Sequence, residues 1–217
     1  MPDFHLEKEI SSNGLVFGID EAGRGPWCGP VVAACVCWPN YEIPTELAEQ
    51  IDDSKKLSSQ KREHLFQLIM QSNALIGIGI ASSIEIDERN ILEATFLAMK
   101  RALEQVQQNH KVQPTCVLID GNRLPKNWEI SAKSVVKGDH LSLSIASASI
   151  IAKVTRDKLM KELSKSYPQY GWDKNAGYGT KEHINAIEKY GITSIHRRSY
   201  APIKRYLEGQ SVLLKKQ

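Results

Sequence analysis

Asp20 and Glu21 stand side by side at the end of an apolar run, Leu15-Val16-Phe17-Gly18-Ile19, and are followed at once by Gly23-Arg24-Gly25-Pro26. Burying one ionised carboxylate without a partner is costly and two neighbours repel, so an acid pair in such a place calls for a nearby cation. Hard divalent metals meet that need through oxygen ligands. In Gly23-Arg24-Gly25 the missing β-carbons allow close backbone approach by another molecule, and Arg24 offers a planar fork to phosphate or sugar oxygens. A tight turn carrying solvated charge fits the same residues equally well.

Further along, Thr115-Cys116-Val117-Leu118-Ile119 ends in Asp120-Gly121-Asn122, and Val135-Val136-Lys137-Gly138 ends in Asp139. Three apolar segments thus each finish at an acid. In open α/β sheets ligands collect at strand ends, which favours one shared site over three independent turns. Asp20, Glu21, Asp120 and Asp139 together would form an all-oxygen site suited to Mg²⁺ or Mn²⁺ and not to zinc, whose sites favour nitrogen and sulfur. Two such ions about 3.5–4 Å apart could activate water and stabilise the leaving oxygen of a phosphodiester displacement. Arg24, Lys55, Lys56, Lys153, Tyr178, Arg197 and Arg198 are candidates for a basic, aromatic rim gripping a polyanion. Residue chemistry alone stops at metal-dependent phosphoryl transfer and does not choose among RNA, DNA and a nucleotide.

The elements that must position these groups follow from periodicity. Leu15–Ile19 reads as a strand covered on both faces, with Asp20 where it leaves the core. Val31 to Trp38 is a second strand, antiparallel to the first across a Gly-Pro turn. Ser58 caps a helix that places Leu65, Leu68 and Ile69 on one face, with Lys55 and Lys56 just before its start. Ala74 to Ala81 is a third strand whose glycines permit close packing. Leu92, Thr95, Phe96, Met99, Leu103 and Val106 mark a long amphipathic helix ending near Asn109. Ser142 to Ser166 is a second long helix, rich in small side chains over Ser144–Ala152, with Lys153, Arg156 and Asp157 projecting charge from later turns. After Tyr167 the composition becomes loop-like. Thr180 caps a short helix ended by Gly191, and Pro202 starts another. The reading is an α/β domain over residues 1–166 with a small helical appendage over 167–217.

A chain of 217 residues with 41% hydrophobic and 24% charged content has the make-up of an ordinary globular protein able to bury a sizeable core. A net charge of +3 is too small to argue nucleic acid by itself. The charged N-terminal decapeptide and the shortness of the apolar runs predict a cytoplasmic protein without a membrane span. Cys28, Cys35, Cys37 and Cys116 lack zinc-type spacing and read as reduced structural thiols.

Gly18-Ile19-Asp20-Glu21-Ala22-Gly23-Arg24-Gly25-Pro26 resembles the signature opening of type 2 ribonucleases H, the ribonuclease HII family. The likeness continues, in the family's order, through Asp53-Ser54-Lys55-Lys56-Leu57, Asp120-Gly121, Lys137-Gly138-Asp139, Ala152–Asp157, Gly177-Tyr178-Gly179-Thr180 and His196-Arg197-Arg198-Ser199-Tyr200. It implies a ribonuclease H-like fold with a mixed sheet of about five strands flanked by helices. It implies an endonuclease that cuts the RNA strand of RNA–DNA hybrids and the 5′ side of single ribonucleotides in duplex DNA, leaving 5′-phosphate and 3′-hydroxyl ends, as ribonucleotide excision repair requires. In that likeness the four acids match Asp20, Glu21, Asp120 and Asp139. Gly23, Arg24 and Gly25 match the element whose backbone contacts the 2′-hydroxyl, and Tyr178 matches the tyrosine at the RNA-to-DNA junction. Trp27 and Cys28 stand where smaller or aliphatic residues are usual, and Tyr200 where phenylalanine is common. A DNA resolvase of the same fold and a non-catalytic hybrid-binding module are the competing readings. Gln210-Ser211-Val212-Leu213-Leu214 resembles a sliding-clamp-binding peptide, and a monomer is expected.

Overall fold

The computed structural model describes residues 1–12, 14–51, 57–126 and 128–210. After a short helix α1 (His5–Ile10), the chain forms β1 (Val16–Ala22) and β2 (Val31–Cys37), then a helical turn α2 (Thr45–Ala48) and helix α3 (Ser59–Met70). Strand β3 (Leu75–Ala81), α4 (Ser83–Arg89), the long α5 (Ile91–His110), β4 (Cys116–Asp120) and β5 (Ala132–Val135) follow. The second long helix, α6 (Leu143–Ser166), leads into α7 (Trp172–Asn175), α8 (Lys181–Tyr190) and α9 (Ala201–Leu207). The caps read from the sequence, Ser58 and Thr180, form as expected, each accepting a hydrogen bond from a first-turn amide, and Ser142 caps α6 in the same way. Helix α4 begins with a capping box in which Ser82 and Glu85 serve each other's orphan amides.

The sheet order is β3-β2-β1-β4-β5. β1 runs antiparallel to β2 and parallel to β4, and β4 runs parallel to β5. The C-terminal ends of β1, β4 and β5 therefore open onto one edge. Side chains alternate across β1. Phe17 and Ile19 join the core beneath α5, while Val16 packs on Ile145 of α6 on the other face. Glycines set how close the helices come. A β-carbon on Gly79 would lie 1.9 Å from the Ala98 carbonyl of α5, and one on Gly18 would lie 2.3 Å from the Ile145 amide of α6.

Two expectations need correction. β1 does not end at Ile19, because pairing with β2 continues through Asp20, Glu21 and Ala22. Pairing with β4 is recorded only as far as Ile19–Ile119, so the acids remain on a strand whose β4 side has just run out. Asp139 does not end a strand: β5 stops at Val135, and Asp139 sits in a 3₁₀ turn, Gly138–His140, entered through Lys137 in the left-handed conformation.

The N-terminal segment braces that turn. The Asp3 amide donates to the Leu141 carbonyl at 3.3 Å and the Leu143 amide donates to the Asp3 carbonyl at 3.0 Å. Buried Glu7 accepts from the Ser142 hydroxyl and the Ser144 amide at the start of α6. A negative side chain is favoured there by the helix dipole. Beyond α6, Tyr170, Trp172, Ile184, Ile187 and Ile203 form a separate apolar cluster that takes in Cys28 and Met160. All four cysteines are buried and free, as the sequence suggested.

Candidate active site

Strand pairing brings the acids together. With Ile19 beside Ile119, the next residues along the parallel strands are Asp20 and Asp120. One Asp120 carboxylate oxygen accepts from the Gly138 amide at 2.7 Å, which ties β4 to the turn that carries Asp139. Asp20 and Asp139 are buried, and the Glu21 side chain is 13% exposed. Alternation along β1 turns Asp20 toward α6 and Glu21 toward α5.

Charge is crowded here. Burial, above all, and then the neighbouring Glu21 and Asp120 carboxylates hold the Asp20 carboxyl well above the usual range, against hydrogen bonds from the Glu21 amide and the Ser149 hydroxyl. Arg24, with about half its side chain exposed, reaches Glu21 at 3.2 Å. An acid cluster this desolvated and self-repelling, built only from oxygen donors, fits a hard divalent cation. Among the described residues, no three of its carboxylates bring oxygens within 4.8 Å of one another; the trio that does is Cys28, His183 and His196.

Two clefts open from the cluster. One, of about 310 Å³, is lined by Asp20, Glu21, Gly23–Gly25, Ser149, Lys153, Arg156 and Tyr178. The other, of about 330 Å³, runs from Glu21, Arg24 and Asp120 past Asn122 and Arg123 to Phe96. Seven of the predicted residues, Asp20, Glu21, Gly23, Arg24, Gly25, Lys153 and Tyr178, thus line a single cleft. Tyr178 is 48% exposed, and a β-carbon on Gly25 would touch its ring at 3.4 Å. Lys153 pairs with Asp157 at 2.7 Å. Lys55 and Lys56 lie outside the described residues.

Arg197 is not on the rim. It is fully buried, and its guanidinium donates to the carbonyls of Gly23 (2.6 Å), Arg24 (3.0 Å), Gly29 (3.0 Å) and Pro30 (3.1 Å). It also donates to the Tyr200 hydroxyl, which itself donates to the Arg24 carbonyl. Arg156 is equally buried and no surface charge: it donates to Pro30 (3.0 Å), Ala176 (2.9 Å) and Cys28 (3.3 Å) carbonyls. Burial lowers both guanidiniums, Arg156 to about 10, which still leaves it charged at neutral pH. Carbonyl dipoles take the place of a carboxylate partner. Gly23 has φ +99°, and a β-carbon there would lie 2.0 Å from Arg156 Nε. The close approach that this glycine permits is therefore to the protein's own arginine.

Ser149 and Arg156 were missed by sequence reasoning as parts of the site. Their spacing gave a signal: Ser149, Lys153 and Arg156 fall at i, i+4 and i+7 of α6 and so share one helix face. Nothing local announced that Arg156 would be buried.

The ribonuclease HII family model matches residues 17–203. A ribonuclease HII of Paramagnetospirillum magneticum (strain ATCC 700264 / AMB-1) is 49% identical over 207 residues, covering 95% of this chain and 99% of the relative. Among solved structures, the ribonuclease H2 from Pyrococcus horikoshii OT3 superposes with a TM-score of 0.73 at 27% identity, covering 90% of this chain and 98% of the other. The crystal structure titled Bst-RNase HIII in complex with Mn2+ superposes with a TM-score of 0.75 at 18% identity, covering 96% of this chain and 73% of the other, a likeness of fold. The mixed five-stranded sheet flanked by helices is thus a ribonuclease H-like fold, and the chain belongs to the ribonuclease HII family of nucleases.

Proposed function

We propose that the protein hydrolyses the RNA strand of RNA–DNA hybrids and cuts 5′ of single ribonucleotides in duplex DNA, leaving 5′-phosphate and 3′-hydroxyl ends. The observation that carries this reading is the gathering of acids from β1, β4 and the Gly138–His140 turn, with Asp20 desolvated beside Glu21 and Asp120. Asp20, Glu21, Asp120 and Asp139 would hold Mg²⁺ or Mn²⁺, two ions with substrate, which supply water activation and leaving-group stabilisation.

The protein's own groups then orient the substrate. The Gly23-Arg24-Gly25 backbone, fixed from beneath by Arg156 and Arg197, reads the 2′-hydroxyl, the group that separates RNA from DNA. Tyr178, exposed beside Gly25, packs on the sugar after the ribonucleotide. Lys153 and Arg24, with Lys55 and Lys56, hold phosphates, so binding weakens as salt rises. Arg197 acts on substrate only through the turn. Residues 1–166 carry the chemistry, and residues 167–217 complete the groove without forming an independent domain. Among the described residues no helix is long and apolar enough to cross a membrane. A cytoplasmic monomer acting in ribonucleotide excision repair is the corresponding cellular reading. The clamp-binding segment Gln210–Leu214 lies outside the described residues beyond Gln210 and rests on the sequence resemblance.

The test is a duplex with one embedded ribonucleotide, incubated in Mg²⁺ or Mn²⁺ with the parent and with Asp120→Asn. The parent should cut 5′ of the ribonucleotide and the variant almost not at all. Equal cutting by both overturns the metal assignment. Cutting of an all-DNA junction points to a resolvase, and binding without cutting to a recognition module.

A further inference from the structure

Behind the cleft, Cys28 Sγ and nitrogens of His183 and His196 lie within 4.8 Å of one another, all buried. One cysteine and two histidines make a zinc-type donor set. The hydrogen bonds argue for a different use. His183 Nδ1 lies 2.9 Å from the Tyr178 carbonyl, which can only accept, so Nδ1 carries the proton and Nε2 the lone pair. Trp172 Nε1 donates to that Nε2 at 3.2 Å, sharing its single lone pair with the His196 donor. His196 Nδ1 accepts from the Thr193 amide at 2.9 Å, so its proton sits on Nε2, which faces His183 Nε2 at 3.1 Å. These partners assign one tautomer to each ring. A cation held by both Nε2 atoms would displace two N–H donations and set the Thr193 amide against a protonated Nδ1.

The result is a chain of donations in one direction: Thr193 amide to His196, His196 to His183, His183 to the Tyr178 carbonyl. Arg197, the next residue after His196, holds the carbonyls of Gly23 and Arg24. Trp27 closes the arrangement. Its amide donates to Gly177, its carbonyl accepts from the Arg197 amide at 2.8 Å, and its ring covers Gly179, where a β-carbon would lie 2.1 Å away. The two elements that face substrate across the cleft, the Gly23–Gly25 turn and Tyr178, are thus anchored to the same pair of consecutive residues, His196 and Arg197.

We infer that His183 and His196 are positioning residues for substrate discrimination: their chain holds Tyr178 at a fixed span from the Gly23–Gly25 turn, so that a ribonucleotide and the deoxynucleotide after it are gripped together. This rests on the proposed reading of Tyr178 as the residue at the RNA-to-DNA junction. A span error at one contact is felt only by substrates that use both contacts.

Two variants separate the tie from the packing. In His183→Asn the amide nitrogen can occupy the place of Nδ1 and still donate to Tyr178. In His183→Gln the polar end occupies the place of Nε2, which keeps the Trp172 and His196 contacts and cuts the tie. With the full-length protein, His183→Gln should raise KM on a duplex with one ribonucleotide about tenfold, with kcat and the KM for a continuous RNA–DNA hybrid each moving less than about threefold. His183→Asn should restore KM to within about threefold of the parent. Equal losses on both substrates that track thermal stability would overturn the inference, as would unchanged KM values in both variants. Stoichiometric zinc in the purified protein, lost in Cys28→Ser, would overturn it in favour of a metal site. If the parent cuts neither substrate, the proposed function itself has failed, a result distinct from all of these.

Discussion

Two charged regions meet at the Gly23–Gly25 turn and are built on opposite terms. On its outer side Asp20 and Glu21 of β1, Asp120 at the end of β4 and Asp139 in the Gly138–His140 turn carry like charges, and the Asp20 carboxyl is held well above its ordinary range by burial and by Glu21 and Asp120. On its inner side Arg156 and Arg197 are just as deeply buried, yet their donors meet backbone carbonyls at 2.6–3.3 Å. Both regions carry the cost of buried charge. The inner one offsets it with its own dipoles and supports the turn; the outer one keeps a mutual repulsion at Asp20 of the kind that suits a cation. The buried guanidiniums are surrounded by fixed dipoles, whereas the carboxylates are set against one another.

That contrast is broken most directly at Asp120. Asp120→Asn should lower cleavage of a ribonucleotide-containing duplex by at least about a hundredfold, since a cation ligand is lost. The metal-free protein should keep or raise its melting temperature, because one of the charges facing Asp20 is removed. A clear drop in melting temperature would show that the acid cluster is a structural element instead.

The inner side should respond the other way. Arg197→Met keeps much of the volume but strands the carbonyls of Gly23, Arg24, Gly29 and Pro30, and should destabilise the fold by roughly 3 kcal/mol. Arg197→Lys should recover only part, since a single ammonium cannot reproduce the planar fork. Chemical denaturation measures both, and full stability in Arg197→Met would place that residue back among the solvated groups.

Acid sharpens the comparison further. Burial, helped by the neighbouring His183, lowers His196 from 6.5 to about 3. The unfolded chain therefore binds a proton that the folded chain refuses between those values, so stability is complete above about pH 6.5 and falls as pH drops toward 3. By pH 5 the loss attributable to this ring is about 2 kcal/mol. His183 is lowered in the same sense, whereas Cys28, pushed up to about 12, and Tyr170, also raised, do not titrate in that window. Melting curves from pH 7 to 5 should fall more steeply for the parent than for His196→Asn; parallel curves would place the acid sensitivity elsewhere.

The smallest effect is expected at Lys153, which pairs with Asp157 at 2.7 Å but lines the cleft with Asp20 and Tyr178. If it belongs to the acting set, Lys153→Met should weaken substrate binding about three- to tenfold and reduce the salt slope by about one. An unchanged slope would assign it to the helix surface.

Most of the secondary structure was legible because its causes are local. Apolar runs marked the strands, Leu92 to Val106 marked α5, and Ser58 and Thr180 announced their helices through side chains that reach an amide three residues on. The acids, too, were visible as charge at the ends of apolar runs. What failed were statements about neighbours along the sheet. That β1 continues past Ile19 depends on β2, and that Asp139 sits in a 3₁₀ turn depends on the N-terminal segment and Asp120, more than a hundred residues and about twenty residues away along the chain.

By itself, then, the sequence determined which groups could do chemistry and which elements carry them, since periodicity, capping and charge are written within a few residues of each other. Tertiary structure alone decided which charges line the cleft and which are enclosed. Arg197 and Lys153 are both basic residues in motifs that resemble the same family, yet one is enclosed by carbonyls of Gly23, Arg24, Gly29 and Pro30 and the other lines the cleft. Whether a guanidinium faces solvent or a cage of carbonyls is fixed by loops brought together from across the chain, and no local pattern records that meeting.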